Sequence, residues 1–127
     1  MNTTVFFQKI KTYCNLSKET EQDWTTLLKE KLYKKGSDFL LIGHVPKKVA
    51  FVLKGLFSQH YTTETGDTVI KYFFPEGRIA GSMPAILTKT ESLFTITALE
   101  ETTVLEYDFH EFKKLVTKHR DIADFYI

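Results

Sequence analysis

The feature that most limits the fold is a series of short apolar runs between residues 32 and 107, most of them bounded by glycine or proline. Within these runs apolar residues tend to recur at every second position, which is the spacing of a half-buried β-strand. We therefore expect strands at residues 39–42, 49–53, 56–61, 69–74, 93–99 and 104–107. Many short strands with such turns indicate a sandwich or a barrel, and spacing alone does not choose between the two.

Two glycines mark turns between the expected strands. Gly66 lies in Thr65-Gly66-Asp67 between two alternating runs, which predicts a β-hairpin. Gly55 alone interrupts an apolar run, which predicts a tight turn or a bulge.

Both ends of the chain have helical spacing. We expect helices over residues 4–13 and 18–31, and a third that begins at Asp108 with Glu111 in the capping-box position. Asp121 is expected to begin a further helical segment. The expected inner faces contain Val5, Phe6, Ile10 and Tyr13 in the first helix and Trp24, Leu27, Leu28 and Leu32 in the second.

The composition limits the class of protein. A chain of 127 residues with 43% hydrophobic and 26% charged residues is typical of one ordinary globular domain. The net charge of +1 gives no reason to expect nucleic acid or a charged membrane as a partner. The single cysteine, Cys14, excludes an internal disulfide and fits a reducing compartment. With no signal-peptide pattern and no long apolar run, we expect the cytoplasm.

An enzyme is not expected. The four histidines are scattered without metal-ligand spacing, so no metal site is expected either. The sequence contains no G-x-S-x-G motif and no P-loop.

The stretch at residues 73–99 is arranged differently from the rest. It combines a strand end, a turn bracketed by Gly77 and Gly81, a short helix over residues 82–87, a polar loop and a second strand. The amides at the start of such a helix open into the turn, which predicts an anion pocket.

Several segments, taken in order, carry a family resemblance: LYKKG (residues 32–36), FVLKGLFSQHYTTETGDTVI (51–70), FFPEGRIAGS (73–82), TITALEETTVLEYD (95–108) and the helix that follows. Together they resemble the cyclic-nucleotide-binding domain of Crp/Fnr-type transcription regulators. The resemblance implies a mainly β fold with flanking α-helices, a double-stranded β-helix of the jelly-roll or β-roll type. It implies one domain over residues 1–127: N-terminal helices to residue 31, the β-roll over 32–107 and C-terminal helices over 108–127.

The resemblance also places a degenerate nucleotide pocket in this chain. In nucleotide-binding members, a glutamate after the glycine of the short helix holds the ribose, and an arginine before the last core strand pairs with the phosphate. Here Ser82 follows Gly81, and Ser92 or a neighbour stands where the arginine is expected. The pocket residues are then Arg78, Gly81, Ser82, Met83, Pro84, Ala85, Ser92, Leu93 and Phe94.

We do not expect cAMP or another cofactor in this pocket. A bidentate arginine is one of the stronger phosphate contacts, and Glu91 would repel the phosphate. Three interpretations remain open. The pocket binds a less charged ligand between Met83, Ile86 and Phe94, or it is filled by its own side chains, or Arg78 supplies a substitute cation.

Relatives of this type continue beyond the sensory domain. A long helix forms their homodimer, and a helix-turn-helix module after it binds DNA. In this chain the dimer helix would begin near Asp121, and its start would be cut off at residue 127. The resemblance therefore implies the sensory domain of a bacterial transcription regulator with a small-molecule effector. DNA would bind only through a module outside this chain, and no membrane partner is expected. The alternative is a ligand-free scaffold or interaction domain with the same fold.

Overall fold

The computed structural model describes residues 1–126. These residues form two antiparallel four-stranded sheets, with strand orders β1-β8-β3-β6 and β2-β7-β4-β5. The strands are β1 (Lys29–Tyr33), β2 (Asp38–Leu40), β3 (Lys48–Lys54), β4 (Leu56–Thr62), β5 (Thr68–Pro75), β6 (Ile79–Ala80), β7 (Thr95–Ala98) and β8 (Thr102–Asp108). The helices are α1 (Thr4–Ile10), α2 (Lys18–Thr25), α3 (Met83–Thr88), α4 (Phe109–Lys118), a 3-10 turn (Arg120–Ile122) and α5 (Ala123–Tyr126).

Strands β3 and β8 have runs of consecutive buried residues. Since successive side chains of a strand point to opposite sides, both faces of these strands are buried. Ala50 and Val52 of β3 join the core between the two sheets. Val49 and Phe51 join a second core beneath the helices. The helices cover one face of β3 and the second sheet covers the other, which explains why β3 is an almost continuous apolar run.

The helical core is centred on Trp24, which is fully buried. Its indole lies 5.1 Å from the ring of Phe6 and 4.8 Å from that of Phe112, measured between centroids. Each such pair adds about 0.5–1.5 kcal/mol beyond its buried area. The aromatic contacts therefore join α1, α2 and α4 into one layer.

The predicted helices differ from those observed in extent and in buried face. The first ends at Ile10, and it buries Phe7 while leaving Val5 and Tyr13 exposed. The second ends at Thr25, well before residue 31. Strand pairing then begins at Lys29, because β1 pairs along β8 through its backbone.

Several strand predictions also need correction. Strand β1 was not expected, since four of its five residues are exposed, and Leu32 lies on its exposed side instead of in a helix. The two-residue strand β6 was not expected either. The predicted strand at 93–99 begins at Thr95, and the one at 39–42 spans Asp38–Leu40.

The two turn predictions are confirmed. Gly66 lies in the turn between the paired strands β4 and β5, with φ of +88°. Gly55 lies where the chain leaves β3 in one sheet and enters β4 in the other, with φ of +111°. Positive φ at both positions explains why glycine is required there.

The C-terminal helices are tied to α2. Asp108 caps α4 as predicted, because its Oδ1 accepts the Glu111 N–H at 2.9 Å. The Asp121 carboxylate does not cap its own segment. It accepts the Ser17 N–H at 2.9 Å and the Thr20 hydroxyl at 2.9 and 3.0 Å. Burial raises the pKa of Asp121, but the hydrogen bonds from Ser17 and Thr20 lower it by more. The pKa of Asp121 therefore lies below its usual range.

An ion pair between a half-exposed lysine and a buried glutamate joins β3 to β8. The Glu106 side chain is only 3% exposed, and its Oε2 accepts from Lys48 Nζ at 2.8 Å. Its Oε1 accepts the Tyr33 hydroxyl at 2.6 Å. Burial, with the neighbouring carboxylate, raises the pKa of Tyr33. Both carboxylate oxygens are thus satisfied, which a buried charge requires.

Candidate functional site

The turn before α3 is fixed by close packing against β3. A Cβ on Gly81 would lie 2.8 Å from Val49 Cγ1, so a side chain there would force the turn away from the sheet. Ile86 of α3 is fully buried and joins the helical core. These contacts hold α3 at the surface with its first turn beside the loop that precedes β7.

A groove of about 390 Å³ lies between α3 and this loop. We call it the α3 groove. It is lined by Ser82, Pro84, Ala85, Thr88, Thr90, Glu91, Leu93 and Phe94. Five of the predicted pocket residues are therefore brought together here. Thr88, Thr90 and Glu91 were not predicted as lining residues, although the sequence marks them as part of a polar loop.

The remaining predicted residues lie elsewhere. Gly81 positions the turn without lining the groove, and Met83 is partly exposed beside it. Arg78 lines a different groove, together with Lys9 and Tyr13. Arg78 therefore does not line the α3 groove.

Ser92 is buried, and it supports the loop instead of facing a ligand. Its hydroxyl donates to the Phe94 carbonyl at 2.7 Å and accepts the Phe94 N–H at 3.3 Å. Its backbone N–H donates to the His44 carbonyl, and its carbonyl accepts from Gly43, both at 2.8 Å. The Ser92 hydroxyl is therefore used by its own loop, and Ser92 does not line the α3 groove.

The charge of the α3 groove is negative. Among its lining residues within the described chain, Glu91 is the only one with a charged side chain. Ser82 occupies the N-cap position of α3 without a side-chain capping bond, and Pro84 in the first turn has no N–H to offer. An anion would therefore meet one carboxylate, few amide donors and no cation.

A second polar cluster joins α2 to the end of α4. Ligand atoms of Glu19, Asp23 and His119 lie within 4.8 Å of one another. Asp23 Oδ2 is 2.7 Å from His119 Nε2 and accepts from Lys118 Nζ at 2.9 Å. The His119 and Lys118 hydrogen bonds lower the pKa of Asp23. Since the Lys118 ammonium is already paired with the Asp23 carboxylate, this cluster is an ion-pair network between α2 and the end of α4.

Among the described residues, no helix has both the length and the apolar character needed to cross a membrane. The family model described as "Cyclic nucleotide-binding domain" matches residues 30–119. No curated protein sequence matches the chain.

Solved structures share the fold at low identity. The catabolite activator protein of Thermus thermophilus superposes with a TM-score of 0.73 at 19% identity, covering 86% of this chain and 51% of that one. The N-terminal domain of a transcriptional regulator from Streptomyces coelicolor A3(2) gives 0.70 at 17%, covering 85% and 76%. A cyclic nucleotide-binding-like protein from Brucella abortus gives 0.67 at 17%, covering 81% and 87%. The predicted mainly β fold with flanking helices is confirmed, and the chain spans about half the length of the Thermus protein.

Proposed function

The chain belongs to the cyclic nucleotide-binding domain family, and from this we propose that it is the sensory domain of a bacterial Crp/Fnr-like transcription regulator. Its effector is a largely apolar molecule without negative charge, bound in the α3 groove, and it is not cAMP. The domain has no catalytic role, and it works in the cytoplasm. Residues 1–127 form one regulatory unit of the larger protein.

The charge of the α3 groove is the observation on which this proposal rests. Glu91 lines the groove, and no lysine or arginine of the described chain does. A charge-assisted hydrogen bond contributes about 1.5–3 kcal/mol to binding. The loss of the phosphate-binding arginine therefore lowers the affinity for a cyclic nucleotide by roughly 10- to 100-fold. The apolar surfaces of Leu93, Pro84 and Ala85 are unaffected by this loss, and they favour an uncharged ligand.

A ligand-free scaffold is the alternative, and one observation favours it. Phe94 packs against the core between the two sheets, together with Tyr33, Phe39 and Phe74. The interior next to the α3 groove is thus filled by aromatic side chains of the chain itself. In this case the fold serves to present its surface to a partner.

The partners of the larger protein follow from the family. We propose a homodimer through a helix that starts near Asp121, and DNA binding through a module outside this chain. Support comes from the structural neighbours, of which one is a catabolite activator protein and another is a transcriptional regulator.

Thermal unfolding tests the choice of ligand. The probes are cAMP, cGMP and adenosine, where adenosine retains the ring system without the phosphate, and a panel of neutral aromatic metabolites. A ligand at ten times its Kd stabilises the folded state by about 1.4 kcal/mol, which raises Tm by roughly 3–6 °C. We expect no rise with the cyclic nucleotides and a rise with a neutral compound.

Two variants locate the binding. Leu93→Ser removes an exposed leucine that lines the α3 groove, and Leu87→Ser removes an exposed leucine of α3 that does not. The ligand-induced rise should be lost in the first variant and kept in the second. A rise with cAMP that exceeds the rise with adenosine would refute the proposed ligand class. No rise with any compound would favour the scaffold.

A further inference from the structure

A second groove of about 420 Å³ lies between α1, β5 and α5, away from the α3 groove. We call it the aromatic groove. Its lining includes the basic residues Lys9 and Arg78 and the aromatic residues Tyr13, Tyr72, Phe73 and Phe125. Its volume lies within the range of about 300–1,000 Å³ that is usual for small-molecule sites.

The rings of this groove are unusually exposed for their size. The relative exposure is 55% for Tyr13, 58% for Tyr72 and 55% for Phe73. The rings of Tyr13 and Phe125 lie 5.8 Å apart between centroids. Exposed aromatic rings grouped around one concave surface are suited to stack on a flat ring of a ligand, since aromatic pairs prefer offset or edge-to-face contacts at 4.5–7 Å.

The charges of the groove are positive and lack ion partners. Across residues 1–126, the Arg78 guanidinium has no hydrogen bond or ion pair, and no carboxylate lines the groove. Lys9 Nζ lies 5.9 Å from the centroid of the Tyr13 ring and has no ion pair there. Its neighbour Lys11, by contrast, is paired with Glu21. The groove therefore has a positive potential that an anion would neutralise.

The position of Arg78 is fixed by its backbone. Its carbonyl accepts the Val52 N–H at 2.9 Å, and its own N–H donates to the Pro75 carbonyl at 3.1 Å. Gly77 makes the turn with φ of +86°. The turn thus fixes the backbone from which the Arg78 side chain lines the groove.

We propose that the aromatic groove binds a small anion that carries a flat aromatic ring, of the size of a mononucleotide. The ring stacks against Tyr72 and Tyr13, and the phosphate or carboxylate pairs with Arg78 and Lys9. This site does not depend on the proposed effector of the α3 groove, because the two grooves share no lining residue and differ in charge.

Nuclear magnetic resonance of the backbone amides provides the test. AMP is titrated into the ¹⁵N-labelled protein at low salt, with adenosine and inorganic phosphate in parallel titrations. We expect AMP to shift the amides of Lys9, Tyr13, Tyr72 and Arg78 in a saturable way, and to bind more tightly than either fragment. Arg78→Gln should lower the affinity for AMP by about three- to tenfold.

Arg120→Gln is the matched control, because Arg120 is the other arginine of the chain, is exposed, and does not line the groove. It should leave AMP affinity unchanged within a factor of about 1.5. The amide spectra also show whether each variant is folded. Tyr13→Ala removes an exposed ring, so it should lower the affinities for AMP and for adenosine and leave the affinity for phosphate unchanged.

Four outcomes would overturn the proposal. The first is the absence of saturable shifts up to 10 mM AMP, about ten-thousandfold above a micromolar Kd. The second is an equal affinity for AMP and inorganic phosphate, since the rings would then contribute nothing. The third is a map of shifts centred on α3. The fourth is a set of groove shifts that follows protein concentration instead of AMP, which would make the groove a contact between copies of this chain.

Discussion

Replacing Gly55 with alanine should destabilise the fold much more than the same replacement at Gly66. Both glycines have positive φ, +111° and +88°, so both changes place an L-residue in an unfavourable backbone conformation. They differ in the space around the new methyl group. No atom lies within 4 Å of a Cβ at Gly66, whereas a Cβ at Gly55 would lie 2.5 Å from Thr102 Oγ1 and 2.6 Å from the Glu101 carbonyl oxygen.

The difference in magnitude follows from these distances. The left-handed conformation costs alanine about 1–2 kcal/mol, of which up to about 1 kcal/mol is offset by the lower entropy of the unfolded chain. Gly66→Ala should therefore cost about 1 kcal/mol. At Gly55 the overlap with backbone atoms adds about 1–3 kcal/mol. It also disturbs the Thr102 hydroxyl, which accepts the Leu56 N–H at 3.1 Å and donates to the Glu100 carbonyl at 2.8 Å. The expected total is about 3–5 kcal/mol.

Urea unfolding followed by the fluorescence of Trp24 measures both variants, since Trp24 is the only tryptophan and is fully buried. With a slope of about 1–3 kcal/mol per molar urea, the difference of about 2–4 kcal/mol should lower the midpoint of Gly55→Ala by at least about 0.7 M more than that of Gly66→Ala. If Gly55→Ala is too unstable to purify while Gly66→Ala behaves normally, the order of the two still holds. Equal midpoints would refute the reasoning, because the close contacts at Gly55 would then have no energetic consequence.

Three further predictions concern the polar contacts. Ser92→Ala should lower stability by about 1 kcal/mol, measured by urea unfolding, because both backbone groups of Phe94 lose their hydroxyl partner. Lys48→Met should cost about 2 kcal/mol by leaving Glu106 buried without its cation, and addition of Glu106→Gln should recover at least half of that loss in a double-mutant cycle. Asp121 has a lowered pKa in the folded state, so its contribution is complete above its unfolded value near 4 and is lost as the pH falls through the folded value. The urea midpoints of wild type and Asp121→Asn should therefore differ by a constant amount above about pH 5 and converge below about pH 4.

The strands that the sequence predicts are those that carry runs of apolar residues, whether or not these are buried. Residues 49–53 lie in β3, where both faces are buried, and residues 69–74 lie in the hairpin strand β5, which is rich in apolar residues although most of them are exposed. The strand at Lys29–Tyr33 was missed because its pairing with β8 is made by backbone groups that leave no trace in the side-chain pattern. Its charged residues continue the helical spacing of α2, so that the sequence predicts a helix as far as residue 31.

The candidate site was predictable in part for a similar reason. Ser82, Ala85 and Phe94 could be grouped because the short helix and the next strand are close in sequence. Arg78 is equally close in sequence, but the turn at Gly77 directs its segment toward α1, and no local pattern reports such a direction. The use of the Ser92 hydroxyl by its own loop is likewise a matter of three-dimensional geometry.

The two grooves differ in how directly they reach the C-terminal helices. Phe125 of α5 lines the aromatic groove, and its ring lies 5.5 Å from that of Trp24 at the centre of the helical core. No residue of α5 lines the α3 groove within the described chain. A ligand shifts a conformational equilibrium only through contacts that differ between the two states. If the dimer helix starts near Asp121 as proposed, a ligand in the aromatic groove would contact its first turns directly, whereas a ligand in the α3 groove would act through Ile86 and the packed core beneath it.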